Sequence, residues 1–209
     1  MGIPGIIIVD DHRLFRSGLK YLLETTGNYH VVAEAANGLE LLEILEKVTP
    51  DLVIMDIEMP KMNGIEGTRL AMAKYPKLKI LVLSMYSETK YYNVLVDYGI
   101  KGFLPKDTDN EEFFLAIHKI LNGETYIAQE LLLTIIRGGT LDQPVKISPR
   151  EKEVLDLIIH GLSNQEIASV LNLSQRTVER HRTHLLEKTG SKNSIRLVIY
   201  ALKNNLISI

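Results

Sequence analysis

The chain contains no cysteine, which removes disulfides, thiolate catalysis and Cys-based zinc sites from consideration. No run of residues approaches the roughly 18 apolar positions that a membrane span needs. The N-terminal Met-Gly-Ile-Pro-Gly leads straight into a strand pattern, with no basic segment, apolar run and cleavage site in sequence. A cytoplasmic location with no membrane partner is therefore expected. Internal repeats and low-complexity tracts are also lacking. What is present is ordinary for a globular protein: 45% apolar and 24% charged residues over 209 positions, long enough for two small domains.

Charge is spread unevenly behind a formal net value of −2. Residues 147–209 hold nine Lys/Arg against six Asp/Glu, giving +3, while residues 1–146 hold fifteen against twenty, giving −5. A mildly basic end behind an acidic body points to an anionic partner for that end alone.

The apolar runs alternate between strand and helix periodicity. Strands are predicted at Gly5–Val9, His30–Glu34, Leu52–Met55, Lys79–Ser84 and Gly102–Leu104. Helices are predicted at 13–25, after Asn37-Gly38, at about 65–75 and 87–98, and from a cap at Thr108 or Asp109 to about Leu121. Five strands alternating with five helices predict a parallel sheet covered on both faces, flavodoxin-like, in the order 2-1-3-4-5. A further helix is expected over 128–137. Gly138-Gly139-Thr-Leu-Asp-Gln-Pro144 then reads as a linker. The predicted division is thus a first domain at 1–125, a linker region at 126–146 and a second domain at 147–209.

The stretch Asp51-Leu-Val-Ile-Met-Asp56-Ile-Glu-Met-Pro60-Lys-Met-Asn-Gly64 carries the functional argument. A short buried strand ends in a carboxylate, and Pro60 and Asn63-Gly64 then force a loop. Ligands of open α/β sheets bind at the carboxyl ends of the strands. In the predicted strand order Asp10, Asp11, Asp56, Ser84 and Lys106 all fall at those ends. Taken singly, each has an ordinary reading as a loop cap, a solvated turn or a surface lysine; their coincidence at one edge is the signal. Carboxylates brought together recruit a cation, and an all-oxygen donor set suits magnesium. Asp56 can act as a nucleophile and hold an acyl phosphate, with the Ser84 hydroxyl and Lys106 ammonium as donors to phosphoryl oxygens.

Residues 5–122 resemble a bacterial response-regulator receiver domain. The resemblance is carried by Val9-Asp10-Asp11, the stretch ending Asp56-Ile-Glu-Met-Pro60, Asn63-Gly64, Leu83-Ser84 and Gly102-Phe-Leu-Pro-Lys106. It implies that Asp56 is the phosphoacceptor, that Asp11 and Asp56 ligate Mg2+ directly, and that Asp10 acts through water and Glu58 through its main-chain carbonyl. Ser84 and Lys106 would bind the phosphoryl group. Phe103 falls where the family keeps a switch aromatic, which turns inward as Ser84 is drawn to the phosphate.

The second domain opens with Ser148-Pro149 and Glu151, a strong helix start. A short helix after Ser163, a turn at Asn172 and a helix over about 175–189 then read as a helix-turn-helix, followed by a fourth helix over about 194–204. The third helix is polar and basic on its outer side, as major-groove entry requires, with Val178, Leu185 and His181 on its inner side.

Residues 147–209 resemble the LuxR-type DNA-binding domain of NarL/FixJ regulators through Ser148-Pro-Arg-Glu151, Gly161-Leu-Ser-Asn164, Glu166-Ile-Ala168, Thr177-Val178, His181 and Leu185. By that resemblance Glu179, Arg180 and Thr183 face bases. Asn164, Ser174, Arg176, Thr177, Arg182 and Lys188 contact phosphates, and Ser194, Leu197, Val198 and Ala201 form a dimer seam. The whole reads as a transcription regulator in which a sensor histidine kinase phosphorylates Asp56, switching a homodimer onto two half-sites of double-stranded DNA. An alternative is an aspartyl-phosphate phosphatase or phosphotransferase, because Asp56-Ile-Glu58 is similar to an Asp-x-Asp nucleophile motif. The nucleophile's place after the third strand and the lack of a cap domain favour a switch that promotes only its own phosphorylation and dephosphorylation. A constitutive DNA binder is disfavoured by the intact pocket.

Two positions depart from the common receiver pattern. Ser84 stands where threonine is frequent, which removes the methyl that stiffens χ1. Met85 stands where a smaller residue is frequent, and its bulk is expected to narrow access to the acyl phosphate. Loss of phosphate from Met85→Ala should therefore outpace loss from the wild type in a radiolabel chase; equal or slower loss would remove this steric role.

Overall fold

The computed structural model describes residues 2–85, 89–128, 145, 147–204 and 206. The chain divides into two compact units, Met1–Leu121 and Asn122–Ile209. The helix expected over 128–137 and the linker to Pro144 fall, Ala128 apart, outside the described residues.

In the first unit, strands Gly5–Val9 (β1), His30–Ala35 (β2), Leu52–Asp56 (β3), Ile80–Ser84 (β4) and Gly102–Pro105 (β5) alternate with helices Arg13–Thr25 (α1), Gly38–Leu45 (α2), Gly64–Lys74 (α3), Thr89–Tyr98 (α4) and Asn110–Leu121 (α5). The pairings among these strands are parallel, and β1 lies between β2 and β3. Residues of β1, β3 and β4 are buried at every position, which is why they read as unbroken apolar runs instead of alternating ones.

The sheet exceeds the expectation by one strand. Its order is β2-β1-β3-β4-β5-β6, where β6 is the two-residue Tyr126–Ile127. Two residues give no period-2 pattern to read, so this edge was invisible to sequence periodicity. One apolar residue of the α1 pattern is also turned outward: Leu14 is 87% exposed, whereas Leu19 and Leu23 are buried.

Register places the chemistry. Val9 pairs with Met55, Asp56 with Leu83, and Ser84 with Pro105. Asp10, Asp56, Ser84 and Lys106 therefore arrive together at the carboxyl edge of four adjacent strands.

The second unit holds helices Pro149–Ile159 (α6), Asn164–Leu171 (α7), Gln175–Thr189 (α8) and Ser194–Lys203 (α9). Capping boxes start α6 (Ser148 with Glu151) and α7 (Ser163 with Glu166), and Ser174 and Asn193 cap α8 and α9. Asn172 closes α7 at φ +53° and Gly190 closes α8 at φ +64°. Val154, Leu155, Ile167, Val178 and Leu185 form the core, joined by Leu197, Val198 and Ala201 of α9.

That core also takes in three of the four residues expected at a dimer seam. Leu197 and Ala201 are fully buried and Val198 is 9% exposed, all within the domain's own cluster. Such burial is worth about 2 kcal/mol for a large side chain, so these residues contribute to holding the domain together. Ser194, the fourth expected member, receives a hydrogen bond from Arg182 (2.7 Å).

The loop after β3 shows why its glycine is there. Asn63 does not make a turn with Gly64 but caps α3, accepting from Glu66 N–H at 2.9 Å. The left-handed residue is Lys61 (φ +65°), around which Met62 N–H donates to the Pro60 carbonyl at 2.7 Å. Gly64 is needed for space: a Cβ there would stand 1.8 Å from the Asp56 carbonyl oxygen. Backbone, not a flexible side chain, would have to move. Gly64→Ala is expected to destabilise the protein by about 2 kcal/mol or more. A urea midpoint equal to that of the wild type would contradict the close approach.

Candidate functional site: an acidic pocket and a polar recognition helix

Asp56 ends β3 with only 5% of its surface exposed, and Asp10 follows β1 at 2%. Two buried carboxylates at one edge demand a counter-charge, which comes from Lys106 after β5. Its ammonium lies 2.6 Å from Asp10 Oδ2 and 2.9 Å from Asp56 Oδ2, and its side chain is 7% exposed. Lys106 N–H also donates to the Ser84 carbonyl at 3.0 Å, so β4 helps to fix the lysine's origin. Asp56 Oδ1 accepts from the N–H of Ile57 at 2.8 Å.

Burial pushes the Asp56 carboxyl above its ordinary range; Lys106 pulls it back and the Asp10 charge pushes it up again. Burial acts to lower the Lys106 ammonium, but the two carboxylates outweigh it and hold the group above its usual value. Both directions describe an ammonium that stays charged because of the two oxygens it bridges.

Asp11, Asp10, His12 and Asp56 each offer a ligand atom, and these atoms lie within 4.8 Å of one another. Asp11 Oδ1 is shielded from solvent and accepts no hydrogen bond, although His12 Nδ1 stands 3.0 Å away. An orphaned carboxylate oxygen beside two further carboxylates fits a divalent cation. The acidic cluster is compatible with metal binding.

Ser84 is buried at 3% beside this cluster, whereas Met85 is 73% exposed at the rim. Glu58 lies in the loop after β3 with its side chain exposed. Phe103 is already inside: it is 2% exposed and meets Tyr92 edge-on, with ring centroids 5.5 Å apart. Its ring packs inward against α4.

Sequence reasoning missed two neighbours of the pocket. Phe15 of α1 presents its ring to the Lys106 ammonium, 4.8 Å from the centroid, an aromatic face that favours the cation. Arg16 reaches back to the Asp10 carbonyl and lies 3.4 Å from Glu34. Both were read only as parts of a helical pattern, and nothing in that pattern distinguishes an aromatic ring under an ammonium from a core one.

In the helical unit, Arg176, Glu179, Arg180 and Thr183 are all exposed on α8. Their spacing of three, one and three residues makes them a single stripe along the helix. Val178 and Leu185 are fully buried on the inner side, with His181 half-buried. Ser174 and Thr177 are joined at the start of α8, hydroxyl to hydroxyl at 2.8 Å.

Three expected phosphate contacts are already engaged inside the unit. Arg182 donates to Asn164 Oδ1 at 2.6 Å and to Ser194 Oγ at 2.7 Å, joining the N-terminal turns of α7 and α9 to the middle of α8. Lys188 lies 2.7 Å from Glu151 Oε2 and so ties α8 to α6.

A phosphoacceptor-like carboxylate, its lysine and a helix-turn-helix on one chain invite comparison with known proteins. Residues 6–118 match the response regulator receiver domain, and residues 145–201 match the bacterial regulatory proteins of the luxR family. The chain is a response regulator of the NarL/FixJ type.

The oxygen regulatory protein NreC of Staphylococcus aureus (strain JH9) is 35% identical over 213 residues, covering 97% of this chain and 98% of NreC. The response regulator ChrA of a heme-sensing two-component system is 30% identical, with a TM-score of 0.54 over 99% and 100% of the two chains. RcsB is similar in two solved states. Bound to the rprA promoter with the phosphomimetic BeF3−, the Salmonella enterica serovar Typhimurium protein is 27% identical, with a TM-score of 0.58 over 97% and 99% of the chains. As two dimers on two parallel DNAs, RcsB is 26% identical, with a TM-score of 0.60 over 97% and 99%. The response regulator thus joins a receiver to a LuxR-type DNA-binding domain, and its homologues are transcription regulators, not classical enzymes. Among its described residues no helix is long and apolar enough to cross a membrane.

The Glu151–Lys188 pair gives the DNA-binding domain a defined acid sensitivity. Burial alone raises the Glu151 carboxyl, but Lys188 and the N–H and hydroxyl of Ser148 together bring it down to about 2. A carboxyl depressed from an unfolded value near ~4.3 stabilises the fold above that value. The contribution, on the order of 2 kcal/mol, is lost as pH falls from about 4 toward 2. Glu151→Gln is expected to flatten this part of the stability–pH curve; an unchanged slope would show that the pair is not coupled to folding.

Proposed function

We propose that Asp56 accepts a phosphoryl group from a sensor histidine kinase or a small phosphodonor, and that this controls DNA binding by the C-terminal domain in the cytoplasm. The observation that supports it most is the Lys106 ammonium held 2.9 Å from Asp56 Oδ2 in a buried pocket. The Asp56 carboxylate attacks phosphorus, the bond from phosphorus to the donor imidazole breaks, and the leaving imidazole takes the electron pair and a proton.

Lys106 has three N–H donors and can turn one from Asp10 to the new phosphoryl oxygens; the Ser84 hydroxyl supplies a second donor from β4. Mg2+, held by Asp11 and Asp56 directly, by Asp10 through water and by the Glu58 main-chain carbonyl, would supply neutralisation of the gathered negative charge. The same groups serve dephosphorylation, in which water attacks phosphorus, the bond from phosphorus to the Asp56 oxygen breaks and the carboxylate leaves with its electron pair, so the receiver promotes only its own modification.

Drawing Ser84 toward the phosphoryl group changes the packing beside Phe103 and Tyr92, and through it the surface of α4 and β5. The output is a homodimer gripping two half-sites of DNA. Glu179, Arg180 and Thr183 face bases, and Arg176, Ser174, Thr177 and Asn164 approach phosphates. Arg182 and Lys188 reach phosphates only by sharing or leaving their present partners. A ligand shifts such an equilibrium by no more than its differential affinity, a few kcal/mol. Treated with acetyl phosphate, the wild type should bind selected DNA about tenfold more tightly, a gain of about 1.4 kcal/mol, and Asp56→Ala should show no gain. An equal gain in Asp56→Ala would remove Asp56 from the switch.

A further inference from the structure

We propose that His12 is a nitrogen donor to the divalent cation of the acidic pocket, so that this receiver prefers Mn2+ to Mg2+ more strongly than an all-oxygen site would. The inference rests on the reading of Asp10, Asp11 and Asp56 as the cation site and concerns a residue outside that set.

Three observations place the imidazole there. His12 precedes α1 as its N-cap residue, yet its side chain makes no capping hydrogen bond. Its main-chain N–H instead donates to Asp10 Oδ1 at 2.8 Å, which locks the backbone of His12 against the pocket. From this position the ring brings Nδ1 to 3.0 Å from Asp11 Oδ1 and 3.3 Å from Asp10 Oδ1.

The distances have the scale of a coordination sphere. Neighbouring donors on an octahedron with metal–ligand bonds of ~2.1 Å stand about 3.0 Å apart, and opposite donors about 4.2 Å. The ligand atoms of Asp10, Asp11, His12 and Asp56 fall within 4.8 Å of one another, so the widest pair closes by about 0.6 Å to reach that geometry. Asp11 Oδ1, the nearer neighbour of Nδ1, is the buried oxygen that accepts no hydrogen bond. The two atoms stand at contact distance without a hydrogen bond of ordinary geometry between them. The ring itself is 70% exposed, so it can adjust to a cation without disturbing the core.

The donor type sets the consequence. Mg2+ is a hard ion that keeps oxygen ligands and water, whereas imidazole suits first-row transition ions. Aspartates alone discriminate weakly between Mg2+ and Mn2+; a nitrogen at one vertex tilts the balance toward Mn2+.

The test uses the full-length protein with Mn2+ alone and Mg2+ alone, in the wild type, His12→Ala and His12→Gln. Titration calorimetry gives the affinity ratio, and pulsed electron paramagnetic resonance of bound Mn2+ reads coupling to imidazole 14N. The wild type is expected to show that coupling. Both variants should lose it and lower the Mn2+-to-Mg2+ affinity ratio by about tenfold. Wild-type Mn2+ without 14N coupling, or a ratio unchanged in both variants, overturns the assignment of His12. If Mg2+ binds and supports Asp56 phosphorylation while the ratio ignores His12, the receiver reading stands and only this inference falls. If neither ion binds the wild type, the cation site itself is wrong.

Discussion

The Lys106 ammonium, bridging Asp10 and Asp56 at 2.6 and 2.9 Å, is the interaction on which the receiver depends. Asp10 and Asp56 are nearly inaccessible to water and could not both remain ionised at this separation without it. Every larger feature of the unit serves to deliver the three groups. β1, β3 and β5 bring them to one edge, β4 sets the lysine's main chain, and Gly64 lets α3 begin directly beneath the Asp56 carbonyl. Phe15 adds an aromatic face to the same ammonium, so the charge is held from both sides.

Charge accounting links this arrangement to its proposed use. Asp10, Asp11 and Asp56 carry three negative charges and Lys106 one positive, which leaves the pocket short by two. A divalent cation would supply that difference. Phosphorylation of Asp56 would then trade a monoanion for an acyl phosphate with two charges at neutral pH, giving the lysine and cation phosphoryl oxygens to bind in place of the lost carboxylate. The pocket is electrostatically unfinished by itself, which is what a site that waits for ligands requires.

The carboxyl-edge constellation was legible because parallel strands buried on both faces leave continuous apolar runs, and the residue ending each run is easy to find. Asp10, Asp56, Ser84 and Lys106 each end such a run or follow it by one or two residues. The capping boxes of α6 and α7 were equally plain, because Ser148–Glu151 and Ser163–Glu166 act over three residues. Contacts across the fold were not. No local pattern distinguishes Phe15 under Lys106, or the space under Gly64, from routine helix and turn positions. The sixth strand is too short to show a period. For α9 the apolar pattern was clear but its partner was not: Leu197 and Ala201 look the same in sequence whether they face a second copy or their own core.

The helical domain separates the exposed side chains of α8 from those that hold the helix in place. Arg176, Glu179, Arg180 and Thr183 form an exposed stripe, while Arg182 and Lys188 on the same helix are tied to Asn164, Ser194 and Glu151. A recognition helix enters a groove usefully only if its axis is fixed against its neighbours, since a small tilt moves every base contact together. Three charge-assisted bonds do this from α6, α7 and α9 at once. Arginine suits the central position because its planar fork reaches two acceptors on different helices, whereas the point charge of lysine suits the single carboxylate of Glu151. The basic residues of α8 are thus divided between struts and exposed side chains, and the net charge of +3 overstates the cations not engaged within the domain.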